Sequence, residues 1–327
     1  MIIAHACLEI LDFRNSTFKF SDSELDFTKD LPVDYVRSIV EKIEKNSSKR
    51  VGTFNADSPI ASLLKTYDST NTNFVQFSHD ISVLFSDALK KSGVLESKDL
   101  LTIEYRKDAG VYLAFVLLDN GEAITHEIFE GNSIQFTKNI SILPQTSTKI
   151  NTFMIVSIPD LNFYSCEKFR EIDGIKHKVI EEEVVKATFL PSTNEIFTAV
   201  KQVASKLSDE SGNDKNEIIA NVKSYIENNS DKDTLDVSDL CDKVFDDKNV
   251  SNTMKDNLAK RGVTDVLPYE YHLTENKVKN AKIKCDNGVE IVVPNSYLQN
   301  NDNVEIRTNS DGTMTIEIKN ITKFSAR

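Results

Sequence analysis

Apolar residues along this chain alternate between two spacings, and the switches outline its elements. Ile2 to Leu11 is a short apolar run without a basic segment ahead of it, and Glu9 and Asp12 interrupt it. It predicts a buried strand, not a signal peptide. An acidic loop follows, then Val36, Ile39, Val40 and Ile43 at helical spacing. Ser58 before Pro59 predicts a capped helix start. Phe74, Phe77, Ile81, Leu84, Phe85 and Ala88 define one face of a stronger helix that stops at Gly93. From Leu101 the period falls to two. Leu101, Ile103 and Tyr105 alternate with polar residues, and VYLAFVLL (111–118) is a continuous apolar run, the pattern of a strand covered on both faces. Turns at 106–110 and 119–121 bound it, and Ala123 to Phe129 should return. Further strands are expected at Ile140 to Leu143, Thr152 to Ile158 and Phe163 to Phe169.

Helical spacing resumes at Ser192. Ser192 and Glu195 stand at capping-box distance, and Ile196, Val200, Val203, Ala204 and Leu207 form the stripe behind them. Asp214 and Glu217 open a second helix, with SDESGND (208–214) expected as a flexible joint. Shorter helices are expected at Val237 to Phe245 and Ser251 to Arg261. The chain closes on two hairpins, one turning at Asn287-Gly288, a pair suited to positive φ, and the other at Ser310 to Gly312. Val304, Ile306, Met314, Ile316 and Ile318 give the last hairpin one oily face that needs a partner surface. These patterns predict an α+β protein. Residues 1–190 form a mixed α/β domain with a largely antiparallel sheet. Residues 191–327 form a helical region closed by two C-terminal β-hairpins.

Composition narrows the classes. The 327 residues carry a formal charge of −12, with 39% hydrophobic and 28% charged residues, the balance of a globular chain and not a disordered one. This excludes a uniformly basic DNA-wrapping surface but not a local one, because charges beyond about 8 Å are screened at physiological salt. No apolar run approaches the roughly 20 residues that span a bilayer. Cys7, Cys166, Cys241 and Cys285 are widely spaced and read as reduced thiols of a cytosolic protein, with no clustered zinc ligands.

Catalytic signatures are missing. The sequence holds no P-loop, dinucleotide fingerprint, G-x-S-x-G elbow or H-E-x-x-H. His79 beside Asp80 reads as a helix-surface histidine, His126 as a strand residue, His177 as part of a solvated edge, and the run from Glu181 as an exposed acidic face. No cofactor is expected. The strongest charge feature is Lys277, Lys279, Lys282 and Lys284. From Lys277 onward there are eight basic and six acidic residues, so this segment is net positive while the remainder carries −14. Four lysines in eight positions suit a sequence-blind phosphate contact. On local pattern alone they suit better a strand edge guarded against pairing.

The order of these pieces adds a resemblance. The helix FVQFSHDISVLFSDALKKSG, the strand pair LLTIEYRKDAGVYLAFVLLDN, the later FYSCEKFREIDG and the closing IKCDNGVEIVVPNSYLQNNDNVEIRTNSDGTMTIEIKNI together resemble the bacterial 37-kilodalton nucleoid-associated family, the YejK or NdpA-like proteins. The resemblance implies a non-enzymatic protein of the cytoplasm, located with the nucleoid, that binds double-stranded DNA. In some relatives it implies a link to type II topoisomerases. The expected function is therefore DNA binding without strong sequence preference, through Lys277, Lys279, Lys282 and Lys284, in a homo-oligomer that doubles the patch. The alternative is an acidic adaptor that docks its region from about Glu181 to Glu275 on a basic DNA-processing enzyme. A nuclease site assembled from scattered carboxylates is a third reading.

Overall fold

The structure, a computed structural model, describes residues 1–94, 96–129, 133–295, 297 and 303–323. They divide into two compact units, Met1–Leu190 and Pro191–Arg327.

The first unit opens with β1 (Ile2–Asp12) and the short return strand β2 (Thr17–Lys19). Helix α1 (Asp30–Glu44), strand β3 (Arg50–Phe54) and helices α2 (Pro59–Leu64) and α3 (Phe74–Lys91) follow. After β4 (Ser97–Lys107) and β5 (Gly110–Asp119) the chain makes a hairpin of its own, β6 (Gly121–Phe129) with β7 (Ser133–Ile142). It then returns through β8 (Phe153–Ser157) and β9 (Phe163–Cys166). A small hairpin, β10 (Arg170–Ile172) with β11 (Ile175–His177), a π-helical turn at Glu181–Val185 and β12 (Ala187–Phe189) complete the unit. Eight of these strands form one antiparallel sheet in the order β12-β3-β9-β8-β5-β4-β1-β2.

Both faces of that sheet are covered, and the alternation of side chains sorts them into two cores. On β5, Leu113, Phe115 and Leu117 join Phe74, Phe77, Ile81 and Phe85 of α3. Their neighbours Ala114, Val116 and Leu118 join Val36, Ile39, Val40 and Ile43 of α1. The unbroken run VYLAFVLL is thus two interleaved apolar faces, as its lack of polar positions predicts. Asn73 caps α3 by accepting from Gln76 N at 3.2 Å, and Ser58 caps α2 by accepting from Ala61 N at 3.3 Å.

The second unit packs α4 (Thr193–Ser211), α5 (Lys215–Asn228), α6 (Val237–Val244) and α7 (Lys248–Ala259) around a third core. Strands β13 (Thr234–Asp236) and β14 (Val266–Pro268) brace α6. A 3-10 turn at Tyr271–Leu273 leads into α8 (Glu275–Lys279), β15 (Asn280–Lys284) and β16 (Glu290–Pro294). The final ribbon is β17 (Val304–Thr308) with β18 (Met314–Ile318). The capping box of α4 is present in full: Ser192 Oγ accepts from Glu195 N at 3.2 Å while Glu195 accepts from Ser192 N at 2.8 Å. The fold class is α+β.

Several local expectations change. The stretch 208–214 is not a loose joint: α4 runs to Ser211, Gly212 ends it at φ 72°, and Asp214 caps α5 at once. Leu207 and Ser208 are buried, so the helix has a packing reason to continue. Strand β7 begins at Ser133, not near residue 140, because Ile134 and Phe136 already alternate with polar residues. The run at Glu181 is not simply an exposed face. Glu181 is buried, bonded to the Arg50 guanidinium and 3.3 Å from Lys178 Nζ. Strand β3, which no sequence pattern revealed, fits between β9 and β12 because Gly52 leaves room for two rings. A Cβ there would lie 2.3 Å from the Phe163 ring and 3.0 Å from Phe189. Gly52→Ala is therefore expected to destabilise the first unit by about 1–3 kcal/mol through overpacking, read as a lower urea midpoint than wild type.

Candidate nucleic-acid interface

The four lysines singled out by sequence stand on one continuous piece of chain that a buried lysine holds in place. Val278, the middle of α8, is fully buried in the third core and fixes that short helix. Where α8 passes into β15, Lys223 of α5 donates from its ammonium to Asn280 O at 2.7 Å and Asn295 Oδ1 at 2.9 Å. The Asn295 amide in turn donates to Val278 O. Lys223 is itself buried, and desolvation pulls its pKa down to about 8.

Strand β15 then separates its side chains by face. Ala281 and Ile283 pair with Val293 and Ile291 of β16. Lys282 and Lys284 lie opposite Val292 and Glu290 on the other, outer face. Glu290 accepts from both, with Lys282 Nζ at 2.5 Å and Lys284 Nζ at 2.9 Å. These two ammonium groups, Lys282 first, hold the Glu290 carboxyl below the usual carboxylate range. On α8, Lys279 reaches back one turn to Glu275 at 2.5 Å, and Lys277 donates to the Asn194 side chain of α4. The structure therefore brings Lys282 and Lys284 together on one face and places Lys277 and Lys279 on the helix just before them. It also pairs Lys279 with Glu275 and both Lys282 and Lys284 with Glu290. The last ribbon is more fully neutralised: Arg307 and Lys319 are held by Glu305, and Arg307 also by Glu317.

A second basic surface escaped the sequence reading. In the first unit, Lys42 and Lys45 at the end of α1 meet Lys149 across a cleft of about 290 Å³, floored by Asn46, Ser147 and Thr148. Lys42 Nζ clips the facing loop by donating to Thr148 O at 2.8 Å, and burial lowers its pKa. Among the described residues, no carboxylate comes within ion-pair distance of these three lysines. Lys42 and Lys149 lie over a hundred positions apart, so no local window could have joined them.

The remaining polar residues serve the fold. His79 is half-buried, with Nε2 2.8 Å from Ser21 O and 4.0 Å from Glu9 Oε1. Glu9, fully buried, accepts from Ser21 N and Ser78 Oγ, and burial raises its pKa. His177 faces Glu182 at 2.9 Å on an exposed edge. The four cysteines are free, and desolvation pushes the thiols of Cys7 and Cys241 up to about 12, far from nucleophilic. Among the described residues, no three His, Cys, Asp or Glu side chains converge to hold a metal, and no helix is long and apolar enough to cross a membrane.

The fold defines an α+β protein that carries two lysine-bearing surfaces. Residues 10–324 match the family model described as nucleoid-associated protein YejK, and the chain belongs to that family. No individual curated protein matches it. Membership places it at the nucleoid, in the cytoplasm.

The Lys223 tether has a pH signature. Between about pH 8 and 10.5 the unfolded chain binds the Lys223 proton and the folded chain does not, so stability rises with pH through that window, by up to about 3 kcal/mol. Below pH 8 both states are protonated and the slope vanishes. Lys223→Met should lack this rise when urea unfolding of the two proteins is compared from pH 7 to 10.5.

Proposed function

We propose that this chain binds double-stranded DNA without strong sequence preference, through phosphate contacts made by Lys277, Lys279, Lys282 and Lys284. The observation that supports this reading is the outward face of β15: two lysines two positions apart share a single carboxylate, with two more lysines one turn upstream. The local balance is positive in an acidic chain. Exposed ion pairs such as those to Glu290 and Glu275 contribute little net stability, so a phosphate ladder can displace them. No base-reading helix is required, since contacts to phosphates position a duplex without reading it.

The cleft of Lys42, Lys45 and Lys149 is a second position for the contact, favoured because its lysines have no acid partner among the described residues. The adaptor reading rests on the exposed carboxylates of the second unit, among them Asp209, Glu210, Glu217 and Asp256. It would take the place of DNA binding if no duplex binding were detectable at low salt.

Fluorescence anisotropy of a labelled duplex across a salt series separates these cases. Wild-type affinity should fall steeply with salt. Changing Lys277, Lys279, Lys282 and Lys284 together to Gln should flatten the logarithmic slope, by at most about 0.9 for each phosphate no longer neutralised. A slope unchanged in that variant but flattened by Lys42→Gln, Lys45→Gln and Lys149→Gln would move the binding surface to the cleft. Glu290→Gln, which releases two lysines at once, should tighten binding roughly 3- to 10-fold at low salt.

A further inference from the structure

Between β5 and β8, neighbours in the main sheet, the chain leaves that sheet and builds the ribbon β6–β7, which pairs only with itself. The register sets His126 opposite Phe136, Ile124 opposite Lys138 and Ile128 opposite Ile134, so these six side chains share one face. The middle of the other face holds Thr125, Glu127, Gln135 and Thr137. What makes the ribbon unusual is exposure on the apolar side. Ile124 is 73% exposed, Ile128 69%, Ile134 67% and Phe136 88%. A lone two-stranded ribbon is marginal in water, and an uncovered apolar strip of this kind marks an interaction surface.

We infer that this face is the contact between two copies of the chain, ribbon against ribbon across a two-fold axis. The inference is independent of the DNA reading. Charge selects the occupant. Copies bearing −12 repel one another over most of their surface. On this strip the one formally charged side chain is Lys138, neutralised by Glu122 at 2.6 Å. A partner drawn by charge would go to the acidic surfaces instead. Area agrees. The four apolar side chains expose on the order of 500 Å² per copy, so a symmetric pairing removes on the order of 1,000 Å² in all, the threshold of a specific interface. A flat strip packed on its own image also satisfies the self-complementarity a two-fold contact requires.

The test is sedimentation equilibrium of the full chain from roughly 1 to 100 µM. The wild type should dimerise. Ile128→Thr with Phe136→Ser should raise the dimer Kd by about 100-fold or more and leave the melting temperature unchanged when it is measured well below the wild-type dimer Kd, since both side chains lie in solvent in the single chain. Gln135→Ala with Glu127→Ala, on the opposite face, should leave the dimer intact. Ile134→Thr alone, a milder change that keeps a β-branched residue, should weaken it about 10-fold and serves if the double variant misfolds. A wild type monomeric throughout, including one whose ribbon instead holds a different protein, overturns the inference. So does a dimer equally tight in the strip variants.

Discussion

Burial of both faces of the central sheet is the constraint on which the first unit depends. Once β5 must feed Phe115 to one core and Val116 to the other, it has no polar position to spare, whereas the adjoining stretch of β4 carries buried Thr102 and Glu104 among its apolar residues. Buried polar groups of the sheet find hydrogen-bond partners inside only in part, since Thr102 Oγ1 and Glu104 Oε1 have none among the described residues. Glu9 takes two hydrogen bonds from Ser21 and Ser78, and Glu104 accepts from the Tyr67 hydroxyl. The same constraint shapes the connection from β5 to β8. Their edges are already paired with each other, so the residues between them cannot join the sheet and must leave it as a ribbon. That ribbon takes an apolar strip away from both cores and leaves it in solvent in the single chain.

The second unit solves a different problem, how to hold a lysine-bearing strand without burying its lysines. Here the buried ammonium is Lys223, which spends its hydrogen bonds on the start of β15 and on Asn295. Val278 on one side and Val293 on the other are buried, so the backbone of α8 and the β15–β16 pair is anchored through apolar contacts. Lys282 and Lys284 are left on the outer face by the two-residue period alone. The structural lysine and the surface lysines are therefore chemically distinct: one is desolvated with a depressed pKa, and the others stay hydrated beside a carboxylate.

Elements with a strong local cause were legible in the sequence. The Ser192–Glu195 box, the α3 stripe and the Asn287-Gly288 hairpin each rest on residues within a few positions of one another, so local pattern and fold agree. Elements whose cause is distant were not. β3 is five residues long and owes its place to the Phe163 and Phe189 rings that fill the space above Gly52. Glu181 is buried because Arg50, 131 residues earlier, meets it there. At the candidate interface the spacing of the four lysines was visible. The pairing of Lys282 and Lys284 with Glu290 was visible only after the hairpin register was known, and the cleft of Lys42 and Lys149 required the end of α1 and a distant loop to be brought together. The family resemblance reached further than the local pattern, because it read the order of elements and not any one of them.

A chain of charge −12 at the nucleoid must reconcile a repulsive far field with an attractive near one. Salt decides the balance: at a screening length of about 8 Å, a phosphate at the outer face of β15 responds mainly to Lys282, Lys284 and Glu290 and little to carboxylates elsewhere. Glu290 then acts as a modulator. With both lysines on it, the site offers an approaching monovalent anion a single uncompensated positive charge. A duplex presents a charge about every 1.7 Å along its axis and can offer each ammonium its own phosphate. Exchange of one shared carboxylate for several phosphates favours a long polyanion over a small one. On the proposed reading such a surface would favour the chromosome over free phosphate and nucleotides, and that selectivity would need no base contact, only a lysine spacing that a single acid cannot fully satisfy.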